Sequence, residues 1–309
     1  MTAAGLRDAI TGIVTPFDDD LNVDHAALAA NVRALSGRGV DSFFVCSNVS
    51  EYHSLSPDER VAVTETSIDA LPDDATTLAG AGGSTAAAID FATTAESLGA
   101  DYVMVMPPHH TYRHEGGLLD YYRRIGAAVD VPLVPYLRGF RPDASFVADL
   151  SRLDCVAGIK WTIPDVPLFA EAVEKGGDVV WINGLGELHA VSLYAEGARG
   201  MATGVGNVWP AVGRALYDAL ECGDFERARE IRDAVAPFMR FRHEAGEGNS
   251  LGHANSIPAL KVALERAGLA GGPVREPLVD LSAAGRARAE SLSDDVAAFV
   301  DAELSADPR

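Results

Sequence analysis

Lys160 is one of only three lysines in a chain of 309 residues that contains 22 arginines. It follows the apolar run Val156-Ala-Gly-Ile159, where a buried strand would end. Arginine keeps its proton in proteins, whereas a desolvated lysine can lose its proton and attack a carbonyl group. Lys160 is therefore the first candidate for a covalent catalyst. The alternative is a structural lysine that pairs with a carboxylate at the end of a strand.

Short apolar or β-branched runs alternate along the chain with amphipathic stretches typical of helices. The runs predict eight strands, at residues 10–15, 40–46, 77–81, 101–106, 131–136, 156–160, 179–183 and 200–204. The stretches between them predict helices at 24–38, 56–70, 86–98, 117–129 and 166–175. Eight such units indicate an α/β protein with a (β/α)8 TIM barrel. An open, doubly wound parallel sheet is the alternative architecture.

The strand pattern stops at about residue 222, and three further helices are predicted at 224–240, 258–268 and 283–304. We therefore expect a barrel over residues 1–222 and a C-terminal helical extension over 223–309 that packs on the barrel.

The net charge of −20 argues against a nucleic-acid partner, because phosphates would be repelled. The acidic residues are spread along the whole chain, which suggests adaptation to high salt. No run of about 18 apolar residues indicates a membrane span, and no signal peptide is recognised. Three scattered cysteines form no disulfide pattern. These features suggest a cytoplasmic protein without a membrane partner.

In a TIM barrel the active site lies at the carboxyl ends of the strands. Tyr136 and Lys160 end consecutive predicted strands, so the phenol and the amine should lie near one another. A mostly apolar wall would lower the pKa of the amine by disfavouring its charged form. Other residues on the same rim follow their strands in the same way: Ser47, Asn48, Val49, His109, Asn183 and Thr203.

Several motifs resemble the dihydrodipicolinate synthase and N-acetylneuraminate lyase superfamily of Schiff-base barrels. Gly158-Ile159-Lys160 matches the segment that carries its imine-forming lysine. The remaining matches follow in the order and spacing of the superfamily: Gly12-Ile-Val-Thr-Pro-Phe17, Ser47-Asn-Val-Ser-Glu51, Leu55-Ser-Pro-Asp-Glu-Arg60, Gly197-Ala-Arg-Gly200, the segment from Asn255 to Leu264, and Val274-Arg-Glu-Pro277.

The resemblance implies that Lys160 attacks the ketone of pyruvate or another 2-keto acid and forms an imine. Tyr136 would relay protons, and backbone N–H groups of the loop that contains Ser47, Asn48 and Val49 would hold the substrate carboxylate. It implies small-molecule 2-keto acid and aldehyde substrates, no cofactor, and a homo-oligomer, commonly a tetramer.

Two positions of the family's proton relay differ in this chain. His109 stands where the synthases have a fourth-strand tyrosine, and Asn48 replaces a loop threonine. Arg138 follows Tyr136, and Arg141 falls near the synthases' carboxylate-binding arginine, so either side chain could hold a substrate carboxylate or hydroxyl. Trp161 replaces a small or acidic residue, and we expect it to reshape the pocket.

These departures make aldol cleavage or condensation of a 2-keto-3-deoxy sugar acid the leading hypothesis. Dehydration of such an acid is the first alternative, and the synthase reaction is the second. A barrel that binds 2-keto acids without catalysis is the third. The histidines at 109, 110 and 114 suggest a metal only superficially, so no metal is expected.

Overall fold

The computed structural model describes residues 3–304, in which eight parallel strands hydrogen-bond in chain order and form a closed barrel. The strands are β1 (Ala9–Gly12), β2 (Ser42–Val45), β3 (Thr76–Ala81), β4 (Tyr102–Val105), β5 (Leu133–Leu137), β6 (Gly158–Trp161), β7 (Val180–Asn183) and β8 (Gly200–Thr203). Each predicted strand overlaps one of these elements. The (β/α)8 fold is therefore confirmed, and the open sheet is excluded.

The helices are α1 (His25–Ser36), α2 (Pro57–Asp69), α3 (Thr85–Ser97), α4 (Glu115–Gly126), α5 (Ala144–Ser151), α6 (Val166–Lys175), α7 (Ala190–Ala195), α8 (Pro210–Glu221), α9 (Phe225–His243), α10 (Ser256–Arg266) and α11 (Ala283–Glu303). The sequence pattern gave no bounds for α5, α7 or α8. Six of the eight residues of α5 are buried, so this short helix has too little polar surface to show a clear amphipathic period.

Contacts between Cα atoms group the chain into two compact units. Of the described residues, the first unit contains 3–10, 41–45 and 74–202, and the second contains 11–40, 46–73 and 203–304. In the second unit α9 packs against α8, α10 and α11. The predicted boundary at residue 222 falls within this second unit, and a separate C-terminal extension stays a prediction.

A buried ion pair stabilises the second unit. Lys261 Nζ on α10 lies 2.7 Å from Glu51 Oε1, and both side chains are almost fully buried. The backbone N–H of Arg275 donates to Glu51 Oε2 at 3.0 Å, and Lys261 Nζ also donates to the carbonyl of Pro273. Glu51 has a left-handed backbone (φ 57°), so the pair holds an unfavourable conformation in place. Glu51 therefore has a structural role in this unit.

No helix in the described part of the chain is long and apolar enough to cross a membrane.

Replacing Lys261 with Met should destabilise the fold, because the Glu51 carboxylate would stay buried without its partner. Loss of one member of a buried pair typically costs about 3–5 kcal/mol. Denaturant unfolding followed by circular dichroism measures this loss.

Lys175→Met is the matched control, since it removes a lysine from an exposed ion pair with Glu171. Exposed pairs contribute little, so the midpoint of this variant should stay near that of the wild type. Equal midpoints for Lys261→Met and Lys175→Met would contradict a stabilising role for the buried pair.

Candidate active site

Strand β6 directs neighbouring side chains to opposite faces, because successive residues of a strand alternate. Lys160 extends toward Phe44 of β2 and Met104 of β4. Trp161 instead packs edge-on against Phe169 of α6, with ring centroids 5.3 Å apart, and its Nε1–H donates to the carbonyl of Ile163 at 2.7 Å. Trp161 lies in the layer between the strands and the helices. The expectation that it reshapes the pocket is therefore wrong.

The amine of Lys160 lies among aromatic and sulfur-containing side chains. Its Nζ is 3.8 Å from the centroid of the Phe44 ring, 4.6 Å from that of Tyr136, and 3.7 Å from Met104 Sδ. The Lys160 residue is only 7% exposed. Among residues 3–304, no carboxylate forms an ion pair with it, so the alternative of a structural lysine paired to an acid at a strand end does not apply.

Burial in this environment, together with the smaller effect of the positive charge of Arg138, lowers the pKa of Lys160 to about 7. A lysine ammonium ordinarily titrates near 10.5. Because removing an ammonium from water is costly and no acid compensates the charge, the neutral amine is favoured. The neutral amine is the nucleophilic form of a lysine, so we expect Lys160 to be activated at physiological pH.

Tyr136 is the direct register partner of Lys160 on the adjacent strand. Its phenol oxygen accepts a hydrogen bond from Arg138 Nη1 at 3.1 Å. The guanidinium of Arg138 therefore holds this phenol in place beside the amine. The structure thus brings together the buried amine of Lys160, the phenol of Tyr136 and the guanidinium of Arg138.

The other predicted site residues of the first unit have different surroundings. Arg141 is 68% exposed and pairs with Asp165, with Nη2 2.6 Å from Oδ2. The two residues border an open groove of about 400 Å³ that also contains Phe140 and Ile163. His109 is exposed on the loop after β4.

Asn183 is buried at the end of β7, where its amide group bonds a tight turn. Its Nδ2 donates to the carbonyl of Gly186 at 2.9 Å, and its Oδ1 accepts from the N–H of Leu185 at 2.9 Å. The side chain therefore orders this turn, and its contact with substrate stays a prediction.

Four predicted site residues belong to the second unit. Ser47 donates its backbone N–H to Ser50 Oγ at 2.9 Å, and Asn48 and Val49 begin the short 3-10 helix Asn48–Ser50. At the end of β8, Thr203 Oγ1 accepts from the N–H of Gly206 at 2.9 Å. The substrate-binding roles of these residues stay predictions.

The sequence did not identify Phe44 and Met104 as neighbours of the amine. In a TIM barrel the inward side chains of alternate strands share one layer. Phe44, Met104 and Lys160 lie on β2, β4 and β6, which are all even-numbered strands. This rule could have identified Phe44 and Met104 as neighbours of Lys160, but only if the inward-facing residues of each strand were already known.

No group of three or more His, Cys, Asp and Glu side chains within residues 3–304 is arranged to hold a metal ion.

The chain is similar to a protein family, to individual relatives and to solved structures. A model of the dihydrodipicolinate synthetase family matches residues 5–295. An uncharacterized DapA-like lyase of Halobacterium salinarum is 31% identical, and the match covers 97% of this chain and 94% of that protein. A probable 5-dehydro-4-deoxyglucarate dehydratase of Streptomyces griseus is also 31% identical, over 91% of this chain and 90% of the relative. The crystal structure of dihydrodipicolinate synthase from Oceanobacillus iheyensis is similar, with a TM-score of 0.89, 29% identity and coverage of 96% of this chain and 98% of that one.

The pKa of Lys160 yields a test of the site. Reaction of its amine with acetic anhydride should increase with pH through a midpoint of about 7, since only the neutral form reacts. Mass spectrometry of peptides from each of the three lysines measures the pH dependence directly. Arg138→Gln should move the midpoint upward, because a positive charge that opposes protonation is removed.

Lys175 serves as the internal control, because it is exposed and Glu171 raises its pKa. A Lys160 midpoint equal to that of Lys175 would contradict the proposed activation.

Proposed function

The chain belongs to the dihydrodipicolinate synthetase family, and on this basis we propose that it is a lyase that forms an imine between Lys160 and pyruvate or a related 2-keto acid. The observation that carries the proposal is the buried amine of Lys160, which has a lowered pKa and lies beside the Tyr136 ring. Solved relatives of the family include the dihydrodipicolinate synthase described above, which has the same fold.

The first step follows from the properties of the amine. Neutral Lys160 adds to the ketone carbon, one proton from the amine and one further proton are delivered to the departing oxygen, and this oxygen leaves as water. The product is a protonated imine, which withdraws electrons from the neighbouring carbon. Tyr136 is the proposed donor and acceptor of protons, because its ring lies beside the amine and Arg138 donates a hydrogen bond to its phenol oxygen.

The leading reaction is aldol cleavage or condensation of a 2-keto-3-deoxy sugar acid. In cleavage, a base takes the proton of the C4 hydroxyl, the C3–C4 bond breaks, and its electrons pass into the imine. An aldehyde leaves, and the resulting enamine is protonated and hydrolysed to pyruvate. Arg138 and Arg141 are proposed to hold carboxylate or hydroxyl groups, and His109 is proposed as a hydrogen-bond donor or acid–base group.

Dehydration of a 2-keto-3-deoxy acid is the second candidate. The imine makes the proton on C3 acidic, and its loss allows a hydroxyl group to depart as water. The similarity to a probable 5-dehydro-4-deoxyglucarate dehydratase supports this reaction. The synthase reaction ranks third because His109 and Asn48 replace the family's relay residues. A barrel that binds 2-keto acids without catalysis ranks fourth.

The proposal also covers the oligomeric state of the protein and its adaptation to high salt. We propose a homo-oligomer, and a tetramer by resemblance to the family. The net charge of −20 and the related protein of Halobacterium salinarum support adaptation to high salt.

Borohydride reduction in the presence of pyruvate tests the imine. The wild-type protein should gain a stable adduct on the peptide that contains Lys160, because reduction converts the imine to an amine that cannot hydrolyse. Lys160→Arg should give no adduct, since a guanidinium keeps its proton. Lys175→Arg, the matched control, should react like the wild type. Absence of an adduct with every 2-keto acid tried would refute the function.

A product assay separates the two leading reactions. Incubation with 2-keto-3-deoxygluconate should release pyruvate and glyceraldehyde, which chromatography with mass detection identifies. A product that has lost water but retains all carbons would reject the aldolase and support the dehydratase.

A further inference from the structure

Two aromatic rings face the nitrogen of Lys160. The centroid of the Phe44 ring is 3.8 Å from Nζ, and that of the Tyr136 ring is 4.6 Å away. Met104 Sδ, at 3.7 Å, is a third contact and is polarisable but uncharged. Within the first compact unit, the remaining charged group that acts on this nitrogen is the Arg138 guanidinium, which is also positive. Lys160 thus lacks a carboxylate counter-ion among the residues described.

The proposed reaction places a positive charge on this same nitrogen. A neutral amine, a ketone and one proton from solvent or Tyr136 give a protonated imine and one water molecule, so the new C=N bond carries the charge. A cation in an apolar environment is costly unless another group stabilises it. The face of an aromatic ring is electron-rich and attracts cations, and the attraction increases when water is excluded.

We propose that Phe44 and Tyr136 form an aromatic clamp that stabilises positive charge on the Lys160 nitrogen and replaces a carboxylate counter-ion. The proposal for the imine rests on the proposed function, whereas the effect on the free ammonium does not. Phe44 contacts the reacting atom itself and is therefore assigned as a catalytic residue.

The Lys160 nitrogen has to be neutral before it attacks the ketone and positively charged after the imine forms, and the clamp is compatible with both states. A carboxylate beside Lys160 would stabilise the later cation strongly, but it would also hold the proton on the free amine and prevent attack. Ring faces stabilise a cation more weakly than a carboxylate does. Lys160 can therefore lose its proton before the reaction and still have its positive charge stabilised after the imine forms.

Phe43 provides a close control for Phe44. Both residues are buried phenylalanines on β2. Because successive side chains of a strand alternate, Phe43 points to the opposite face from the ring that contacts Lys160. The same substitution at the two positions removes the same volume from the core, but only the change at 44 removes the ring face.

Phe44→Leu should lower the pH midpoint of Lys160 acetylation by about one unit, a tenfold change in the protonation equilibrium, because the ammonium loses the ring face while its surroundings stay apolar. Phe43→Leu should leave the midpoint at the wild-type value. The assay contains no 2-keto acid, so it tests the clamp independently of the proposed function.

A second series of variants tests the ring face without changing the volume of the side chain at position 44. Incorporation of 4-fluoro-, 3,5-difluoro- and 3,4,5-trifluorophenylalanine at position 44 nearly preserves the shape of the ring but progressively weakens its electron-rich face. The midpoint should fall as fluorine atoms are added. A midpoint that stays constant along this series, or that rises, would overturn the clamp even if Phe44→Leu failed to fold.

Borohydride trapping with pyruvate extends the test to the imine. Under limiting pyruvate, Phe44→Leu should give roughly tenfold less adduct than Phe43→Leu, because the protonated imine is less stable. Equal adduct in the two variants would overturn stabilisation of the imine. A wild-type protein that forms no adduct with pyruvate or with any other 2-keto acid tried, with a midpoint that still responds to position 44, would refute the proposed function and retain the clamp on the ammonium.

Discussion

Desolvation of a single amine is the constraint on which the site depends. Lys160 Nζ is surrounded by Phe44, Met104 and Tyr136, so its ammonium form loses the hydration that ordinarily stabilises it. The barrel makes this possible because its strands direct side chains from several distant segments to one place. An exposed lysine on any helix of the chain would remain protonated. The lowered pKa of Lys160 is therefore a property of the fold as much as of the residue.

The three lysines of the chain show how strongly the surroundings decide the role of the same side chain. Lys175 is exposed beside Glu171, which raises its pKa. Lys261 is buried, and burial lowers its pKa, but the charge of Glu51 opposes that shift and the pair bonds the second unit together. Lys160 is buried without an acidic partner, and its pKa falls to about 7. Only the last combination of burial and missing counter-charge favours covalent chemistry.

The two arginines after β5 have different environments although they are three residues apart. Arg138 donates to the phenol oxygen of Tyr136, the proposed proton-transfer group, and its positive charge lowers the pKa of the Lys160 amine. Arg141 pairs with Asp165 at the edge of an open groove. A substrate carboxylate would have to compete with Asp165 for Arg141. Arg138 is consequently the better placed of the two to influence the reaction.

The sequence alone determined the fold and the central pair of the site. The regular alternation of strand and helix patterns along the chain indicates the barrel. Parallel strands that pair in chain order then place Tyr136 beside Lys160. Prediction from the sequence failed for side chains whose surroundings depend on the face of the strand they occupy or on contacts between distant segments. Trp161 packs against the helix layer, and Phe44 and Met104, more than 50 residues from Lys160 along the chain, lie against its amine. Local patterns encode the period of a strand, but the inward register and the absence of a nearby acid are decided only when all strands pack together.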